Sequence, residues 1–264
     1  QSATLPGRRA VGERRRQGEV VLSQPSWTFS PVTPHIFKLD LPMYLGFGRV
    51  GVWLVREHDG WTLVDTGSPH DSQRVLNATL DHTGGEVPRQ IILTHGHLDH
   101  AGSAGFLQEQ WSIPVLTHRD EHHYIDGTDW YGAIRPAWWG FRLIQRPFGR
   151  ANRIRPPRID DVVADADRVG SLEVRHVPGH TPGMIALIHQ GDRAIVAGDT
   201  FVSRGLQLYP PLKLFTPDPL GAVRSMDRLV DEDFDHLLAS HGRPILRNGR
   251  IEARLAVRRA GGAT

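Results

Sequence analysis

The chain has 264 residues, of which 39% are hydrophobic, and its 31 Lys and Arg nearly balance its 29 Asp and Glu. This composition supports a sizeable buried core and excludes a wholly disordered protein, and no apolar run approaches the roughly 18 residues of a membrane-spanning helix. Because there is no cysteine, disulfides, thiolate nucleophiles and thiolate metal ligands are also excluded.

The surplus basic residues, almost all arginine, lie near the two ends, in GRRAVGERRR and RNGRIEARLAVRR. The middle of the chain is charge-balanced and carries no nucleic-acid motif, so we expect no nucleic-acid partner. No apolar stretch of signal-peptide length follows the first arginines, so we expect a cytoplasmic protein with no membrane partner.

The first half of the chain predicts alternating strands and helices after a polar, Arg-rich N-terminal extension, residues 1–30. Period-2 patterns predict three strands, over 35–41, 50–55 and 60–66. The elements predicted after them are a helix from His70 to Leu80 closed by Gly84–Gly85, a strand Ile91–Leu93, a helix 101–111, a strand 113–118 and a short helix 119–126.

An insertion from about 127 to 160 is rich in Trp, Arg, Pro and Gly and has no clean period. An irregular stretch of this length is usually functional or disordered, and its aromatic residues argue against disorder. The elements predicted after it are strands over 171–177, 184–190 and 194–197, a helix Pro219–Val230, a strand 236–240 and a helix Ile251–Arg258. Runs of strands with helices in both halves predict an α/β fold of two packed sheets with helices outside.

The segment ILTHGHLDHAG carries the strongest chemical signal in the sequence. Directly after a predicted buried strand, six residues present four side chains that bind metals: His95, His97, Asp99 and His100. Imidazole and carboxylate together suit divalent zinc, manganese or iron. Because a loop at a strand end can turn all four groups toward one point, the segment predicts a metal site.

Three later residues repeat this arrangement: His180 in VPGHTPG, Asp199 in VAGDT and His241 in LLASHG. Each is predicted to lie just past an apolar strand and beside glycine, which permits tight turns. Seven ligand-type residues at strand ends can therefore build one pocket at one edge of the sheets. For other histidines without such a context, including His118, His122, His123, His176 and His189, we expect surface or core roles.

Taken in order, the motifs HxHxDH, PGHTPG, GDT and SHG resemble those of the metallo-β-lactamase superfamily of metal-dependent hydrolases, and LVDTG at 63–67 is similar to its early strand-end motif. The resemblance extends from about His35 to the end of the chain. It implies a four-layer αβ/βα sandwich over residues 31–264, with the 127–160 segment as an insertion.

The resemblance also implies a site of two divalent metal ions, with zinc expected and manganese or iron as alternatives. His95, His97 and His180 would hold the first ion, and Asp99, His100 and His241 the second. Asp199 would bridge the two ions. Asp65 would orient ligands through hydrogen bonds, and the alternative for this residue is capping a turn.

The implied reaction is hydrolysis by a metal-bridging hydroxide, with Asp99 passing a proton to the leaving group. The length and ligand set resemble those of N-acyl-homoserine lactone lactonases, so we expect a lactone or ester as the small-molecule substrate, in a quorum-quenching role. One departure is that Phe201 and Val202 follow the bridging position, where these lactonases often carry Tyr. The residues expected to contact the acyl chain are Leu45, Phe47, Trp138, Trp139, Phe141 and Tyr209.

Several alternatives stay open at this point. Glyoxalase II-like thioesterases share the PGHTPG motif, the arginines of the insertion favour a phosphodiester, and a mononuclear iron dioxygenase would use only part of the ligand set. The alternative role for the aromatic residues of the insertion is to pack it onto the domain or to form a homodimer contact, instead of contacting the acyl chain.

Overall fold

The structure is a computed structural model that describes residues 27–43, 48–125 and 155–261. Thirteen strands in these residues join into one hydrogen-bonded sheet with two halves. The strands of the N-terminal half are β1 (Ser30–Pro31), β2 (Ile36–Pro42), β3 (Arg49–Glu57), β4 (Gly60–Val64), β5 (Gln90–Ile92), β6 (Val115–His118) and β7 (Asp161–Val163). The strands of the C-terminal half are β8 (Arg168–Val169), β9 (Leu172–His176), β10 (Ile185–His189), β11 (Ala194–Arg204), β12 (Gln207–Tyr209) and β13 (His236–His241).

The two halves differ in strand direction and meet at one strand pair. In the order β7-β6-β5-β4-β3, the pairs from β4 to β7 are parallel, whereas β2, β3 and β4 are antiparallel. In the order β13-β11-β10-β9-β8, only β11 and β13 are parallel. The junction is the antiparallel pair of His241 on β13 with Val50 on β3. One residue of the predicted metal site therefore lies at the junction itself.

The described helices follow the strands of each half. They are α1 (Ser72–Thr83), α2 (Leu98–Ala101), α3 (Ala104–Trp111), α4 (His122–Ile125), α5 (Pro219–Leu229) and α6 (Gly249–Arg259). Helix α1 ends because Gly84 adopts a left-handed conformation, with a φ of 70°. Helix α5 begins where the carboxylate of Asp218 accepts the N–H of Gly221, with Pro219 in the first turn.

Three apolar clusters divide the molecule into four layers. On β3, Val52 and Leu54 pack with residues of α1 and α3, whereas Trp53 and Val55 face a central cluster shared with the C-terminal half. Because alternate side chains of a strand point to opposite faces, one strand supplies both clusters.

Strand β11 divides in the same way. Ile195 and Ala197 join a cluster with α5 and α6, and Val196 joins the central cluster. The four layers are therefore α1 and α3, the N-terminal half of the sheet, its C-terminal half, and α5 and α6. This order confirms the predicted four-layer αβ/βα sandwich.

The largest correction concerns the strand before Asp199, which was predicted to end at Ala197. Strand β11 instead continues to Arg204 and contains Asp199. Its pairing with β13 shifts register on both sides of Gly198, which has a φ of 53°. The sequence Gly-Asp-Thr is thus an irregular part of a long strand rather than a loop. His241 is likewise the last residue of β13 and does not follow it.

Other predicted elements differ in their bounds. The helix predicted over 101–111 is two helices, α2 and α3, separated at Gly102 and Ser103. Four short strands were not predicted: β1, β7, β8 and β12. Of the predicted extension, the structure describes residues 27–30, where Phe29 is 6% exposed and packs in the cluster with α1 and α3.

Five predicted substrate contacts lie outside the described residues: Leu45, Phe47, Trp138, Trp139 and Phe141. Most of the predicted insertion, through residue 154, also lies outside them. Within the described ranges, no helix is both long and apolar enough to cross a membrane.

Candidate metal centre

The segment after β5 brings four predicted ligands to one edge of the sheet. The chain leaves the sheet after Ile92, passes His95 and His97, and then enters the short helix α2 with Asp99 and His100. Thr66, which follows β4, fixes this helix because its N–H and its hydroxyl both donate to the carbonyl of His100, at 2.6 and 2.8 Å.

Three imidazoles form a first group. His97 Nδ1 lies 3.1 Å from His95 Nε2 and 3.0 Å from His180 Nε2. His95 is fully buried and His180 is 2% exposed. His95 and His97 come from the N-terminal half, whereas His180 comes from the loop after β9, so the two halves meet in this group.

Asp99, His100 and His241 form a second group, and Asp199 lies between the two groups. Asp99 Oδ2 lies 3.7 Å from His100 Nε2 and 3.4 Å from His241 Nε2. Asp199 Oδ2 lies 3.4 Å from His180 Nε2 in the first group and 3.2 Å from His241 Nε2 in the second. Its other oxygen, Oδ1, lies 3.4 Å from His100 Nε2. The structure thus brings all seven predicted ligands together.

Asp65 fixes the orientation of two histidines in the N-terminal half. Its carboxylate accepts the Thr94 hydroxyl at 2.8 Å and faces His100 Nδ1 at 2.9 Å. Because the Thr94 hydroxyl donates to Asp65, its oxygen accepts from His95 Nδ1, which lies 3.0 Å away. His95 and His100 therefore each carry a proton on Nδ1, and Nε2 of both rings faces the site. Asp65 itself has a left-handed φ of 59°, a strained conformation for a residue other than glycine.

Two further contacts orient the histidines of the C-terminal half. The Thr216 hydroxyl donates to the carbonyl of Leu212 at 2.8 Å, so its oxygen accepts from His180 Nδ1 at 3.2 Å. The carbonyl of Arg49 accepts from His241 Nδ1 at 3.1 Å. Both imidazoles therefore turn Nε2 toward the site, in the way that outer hydrogen bonds orient metal-binding histidines.

Burial sets the protonation of the first group. It lowers the pKa of His95, His97 and His180, in the case of His180 to about 3, and the nearby Asp199 carboxylate offsets this only in part. All three imidazoles are therefore neutral at pH 7, which is the form that binds a metal.

Charge sets the protonation of the second group. Burial lowers the pKa of His100, but Asp99, Asp199 and Asp65 together raise it to about 9. Burial would also raise the pKa of Asp99 and Asp199, yet His100 and His241 hold both carboxyl pKa values well below their usual range. The two carboxylates are therefore ionised, as ligands of a divalent ion must be.

The donor set fits divalent cations. At most one proton, that of His97, is available for the two nitrogen contacts of the first group, so hydrogen bonds alone cannot satisfy these atoms. His97 Nε2, His100 Nε2 and Asp199 Oδ1 are buried without a hydrogen-bond partner. The separations of 3.0 and 3.1 Å are close to the edge of about 3.3 Å that a tetrahedral zinc site with zinc–nitrogen bonds near 2.0 Å would have.

Three residues near the site were not predicted: Thr94, Thr216 and Glu121. The two threonines act through hydroxyl contacts that no spacing in the sequence reveals. Glu121 is fully buried, and burial raises its pKa to about 7 although two backbone N–H groups favour its ionised form. A carboxylate three residues after the apolar strand β6 is the one local signal that could have marked Glu121.

Tyr209, the one predicted substrate contact among the described residues, contacts residues outside the seven ligands. Its hydroxyl donates to Gln207 Oε1 at 2.6 Å, and its ring lies against the guanidinium groups of Arg204 and Arg259. The substrate role of Tyr209 stays a prediction.

Two other histidine clusters lie outside the seven ligands. At the opposite edge of the sheet, buried Asp192 accepts from His35 Nδ1 at 2.7 Å, and His189 lies beside it. This contact joins the start of β2 to the β10–β11 turn, and so joins the two halves a second time. His118 and His176 stack with ring centroids 4.0 Å apart. Because each cluster also brings a carboxylate of Asp192 or Asp120 close to its imidazoles, the surface or core roles expected for His118, His176 and His189 stay predictions.

Comparison with known proteins identifies the family. Residues 45–241 match the family model of the metallo-beta-lactamase superfamily. The chain is 28% identical over 227 residues to the probable metallo-hydrolase YybB of Bacillus subtilis, covering 84% of this chain and 92% of that protein. It is 29% identical over 185 residues to the acyl-coenzyme A thioesterase MBLAC2 of Gallus gallus, covering 64% of each.

Among solved structures, TTHA1623 in a di-iron-bound form matches with a TM-score of 0.61 and 26% identity, covering 81% of this chain and 98% of that one. The family match covers most of the chain, and the His and Asp clusters that bind divalent metals in this superfamily are present in the fold. The chain therefore belongs to the metallo-beta-lactamase superfamily and is a metal-dependent hydrolase.

Proposed function

We propose that the chain hydrolyses the acyl bond of a lactone or ester, with two divalent ions held by the seven residues described above. The observation that carries this proposal is Asp199, whose Oδ2 lies within 3.4 Å of ligand nitrogens in both groups. A carboxylate in this position can ligate two ions at once. Zinc is the proposed metal because the ligands are imidazole and carboxylate, and the di-iron relative makes iron the first alternative.

When bound, two such ions supply an activated water and polarise the carbonyl oxygen under attack. The protein's own residues then have separate tasks. Neutral His95, His97 and His180 hold the first ion, while Asp99, His100 and His241 hold the second. Asp99 is 24% exposed and His241 is 15% exposed, whereas His100 is fully buried. The centre therefore opens beside Asp99, and we assign proton transfer to the leaving group to this carboxylate.

Charge around the site favours an acyl substrate over a phosphodiester. In the described part of the chain, the seven side chains form hydrogen bonds and ion pairs with His, Asp and Thr side chains and one backbone carbonyl, and with no Lys or Arg side chain. Two arginines of the predicted insertion are described, and both pair with acids on the surface. Arg155 contacts Glu109, and Arg158 contacts Asp160. Beyond the two proposed metal ions, an anionic phosphodiester would benefit from a cationic side chain at the centre.

A thioester is the second candidate, because a relative over 64% of the chain is an acyl-coenzyme A thioesterase. Leaving groups distinguish the two reactions. A thiol has a pKa near 8.5 and can leave as thiolate, whereas an alkoxide has a far higher pKa and needs a proton. Loss of proton transfer at Asp99 should therefore reduce lactone turnover more than thioester turnover.

The test is a matched panel: one acyl chain presented as a lactone, an open ester and a thioester, with a phosphodiester of similar size. We expect zinc-loaded protein to show its highest kcat/KM on the lactone or ester. Asp99→Asn should then lower that value more than it lowers the thioester value. A highest kcat/KM on the thioester would select the second candidate, and turnover of only the phosphodiester would contradict both. One iron per chain with oxygen consumption would instead indicate a dioxygenase.

A further inference from the structure

Glu121 lies between two ligand-bearing loops and contacts both. It ends a short 3-10 helix, Arg119–Glu121, that follows β6. Its Oε2 accepts the N–H of Gly96 at 2.7 Å, and its Oε1 accepts the N–H of Gly183 at 2.7 Å. Gly96 lies between His95 and His97, and Gly183 lies three residues after His180. One carboxylate therefore joins a loop of the N-terminal half to a loop of the C-terminal half.

Both loops approach the carboxylate closely because both positions are glycine. A Cβ on Gly96 would lie 2.5 Å from the Cβ of Tyr124 and 3.2 Å from Glu121 Oε2. A Cβ on Gly183 would lie 2.8 Å from the backbone nitrogen of Glu121. Any other residue at either position would push its loop away from Glu121. The local sequence is therefore built around this contact.

We propose that Glu121 is a positioning residue for the first metal ion: it sets the separation between the loop of His95 and His97 and the loop of His180. This inference rests on the proposed two-ion centre. Asp65 differs because its contacts to Thr94 and His100 lie within the N-terminal half. Glu121 instead accepts hydrogen bonds from the backbones of both loops that carry the first group, at Gly96 and at Gly183.

The chemistry of the carboxylate explains why glutamine would not replace it. The two backbone partners of Glu121 are N–H donors, one on each carboxylate oxygen, so both of its terminal atoms must accept. Gln has one accepting oxygen and one donating NH₂, so Glu121→Gln keeps the volume but sets two donors against each other. The fold should tolerate this change, because a backbone bond from Ile185 N to the carbonyl of Thr94, 2.9 Å long, joins the same two segments independently.

The experiment measures zinc affinity by competition with a chromophoric chelator in two backgrounds, each with one metal group intact. His241→Ala leaves the first group, and His180→Ala leaves the second. We expect Glu121→Gln to weaken zinc binding at least about tenfold in the His241→Ala background, the range for residues behind metal ligands. It should leave zinc affinity unchanged in the His180→Ala background. Glu109→Gln, a surface variant of the same type, should change neither.

Equal zinc affinity with and without Glu121→Gln in the His241→Ala background would overturn the inference. Equal weakening in both backgrounds would also overturn it, since that result indicates a general loss of structure. If circular dichroism shows that Glu121→Gln does not fold, Glu121→Asp is measured in the same way, because it keeps the charge but cannot reach both loops. The readout uses zinc alone, so a failure of the substrate panel would contradict the proposed function and leave this test intact.

Discussion

The two halves of the sheet supply the metal centre in different ways. The N-terminal half contributes four ligands within six residues of one loop, His95 to His100. The C-terminal half contributes three isolated ligands, His180, Asp199 and His241, from three separate strands or strand ends. The first set depends on a local turn, whereas the second depends on how the halves pack. Each of the two ligand groups therefore draws on both halves, and variants in each half should test this dependence separately.

The largest expected effect is the loss of a ligand from the C-terminal half. His180→Ala removes one of the three nitrogens of the first group, so we expect one zinc per chain instead of two. The kcat on the preferred substrate should fall by at least roughly 100-fold, since even changes behind the ligands cost 10- to 100-fold. His176→Ala is the matched control, four residues earlier, and should keep both ions. Two ions in His180→Ala would contradict the assignment.

A smaller effect is expected from Asp65→Asn in the N-terminal half. Asp65 Oδ2 accepts from the Thr94 hydroxyl and from His100 Nδ1, and its Oδ1 accepts the N–H of Thr94, so an amide nitrogen at either place would set a donor against a donor. We expect zinc affinity to fall by about 10- to 100-fold, measured by chelator competition. Asp59→Asn, at a surface ion pair with Arg89, is the control. Wild-type affinity in Asp65→Asn would leave turn capping as the role of Asp65.

Thr216→Val tests the corresponding contact in the C-terminal half. Valine has the shape of threonine but cannot accept the proton of His180 Nδ1, so His180 loses the contact that orients it. We expect about a tenfold loss of zinc affinity, at the low end for such contacts. Thr216→Ser keeps the hydroxyl and should restore wild-type affinity. Equal losses of zinc affinity in Thr216→Val and Thr216→Ser would show that the effect comes from packing and not from the hydroxyl contact.

The smallest effect concerns the second junction of the halves, at the opposite edge. Burial lowers the pKa of His189 from 6.5, more than Asp192 and Glu57 raise it, and His35 lowers it further. The unfolded chain therefore binds a proton near pH 6.5 that the folded chain does not, so the free energy of unfolding should fall as the pH drops below this value. Denaturant titrations of metal-free protein between pH 7.5 and 5.5 should show a shallower fall in His189→Gln. A steeper fall would contradict the argument.

The difference between the halves also determines what the sequence could predict. The four ligand-type residues between His95 and His100 are close enough in the sequence to predict a metal site directly. The order of strands, helices and layers follows from hydrophobic periodicity. The strand bearing Asp199 was predicted to end too early because Gly-Asp-Thr is typical of a turn, whereas pairing with β13 extends the strand through it.

The residues that orient the ligands were not predictable for a physical reason. Thr216 lies 36 residues from His180, and Glu121 lies 25 residues from Gly96 and 62 from Gly183. These contacts join segments far apart in the sequence, and the contact between Glu121 and Gly183 forms only after both halves have packed, so no spacing of motifs reveals them. The role of Asp65 was predicted because its LVDTG motif resembles the early strand-end motif of the superfamily.

The most direct test of a two-ion centre shared by both halves is a crystal structure of the zinc-loaded protein, with an anomalous difference map recorded at the zinc absorption edge. We expect two peaks per chain, one among His95, His97 and His180 and one among Asp99, His100 and His241, with Asp199 in contact with both. A single peak, or a pair of peaks without Asp199 between them, would contradict the account.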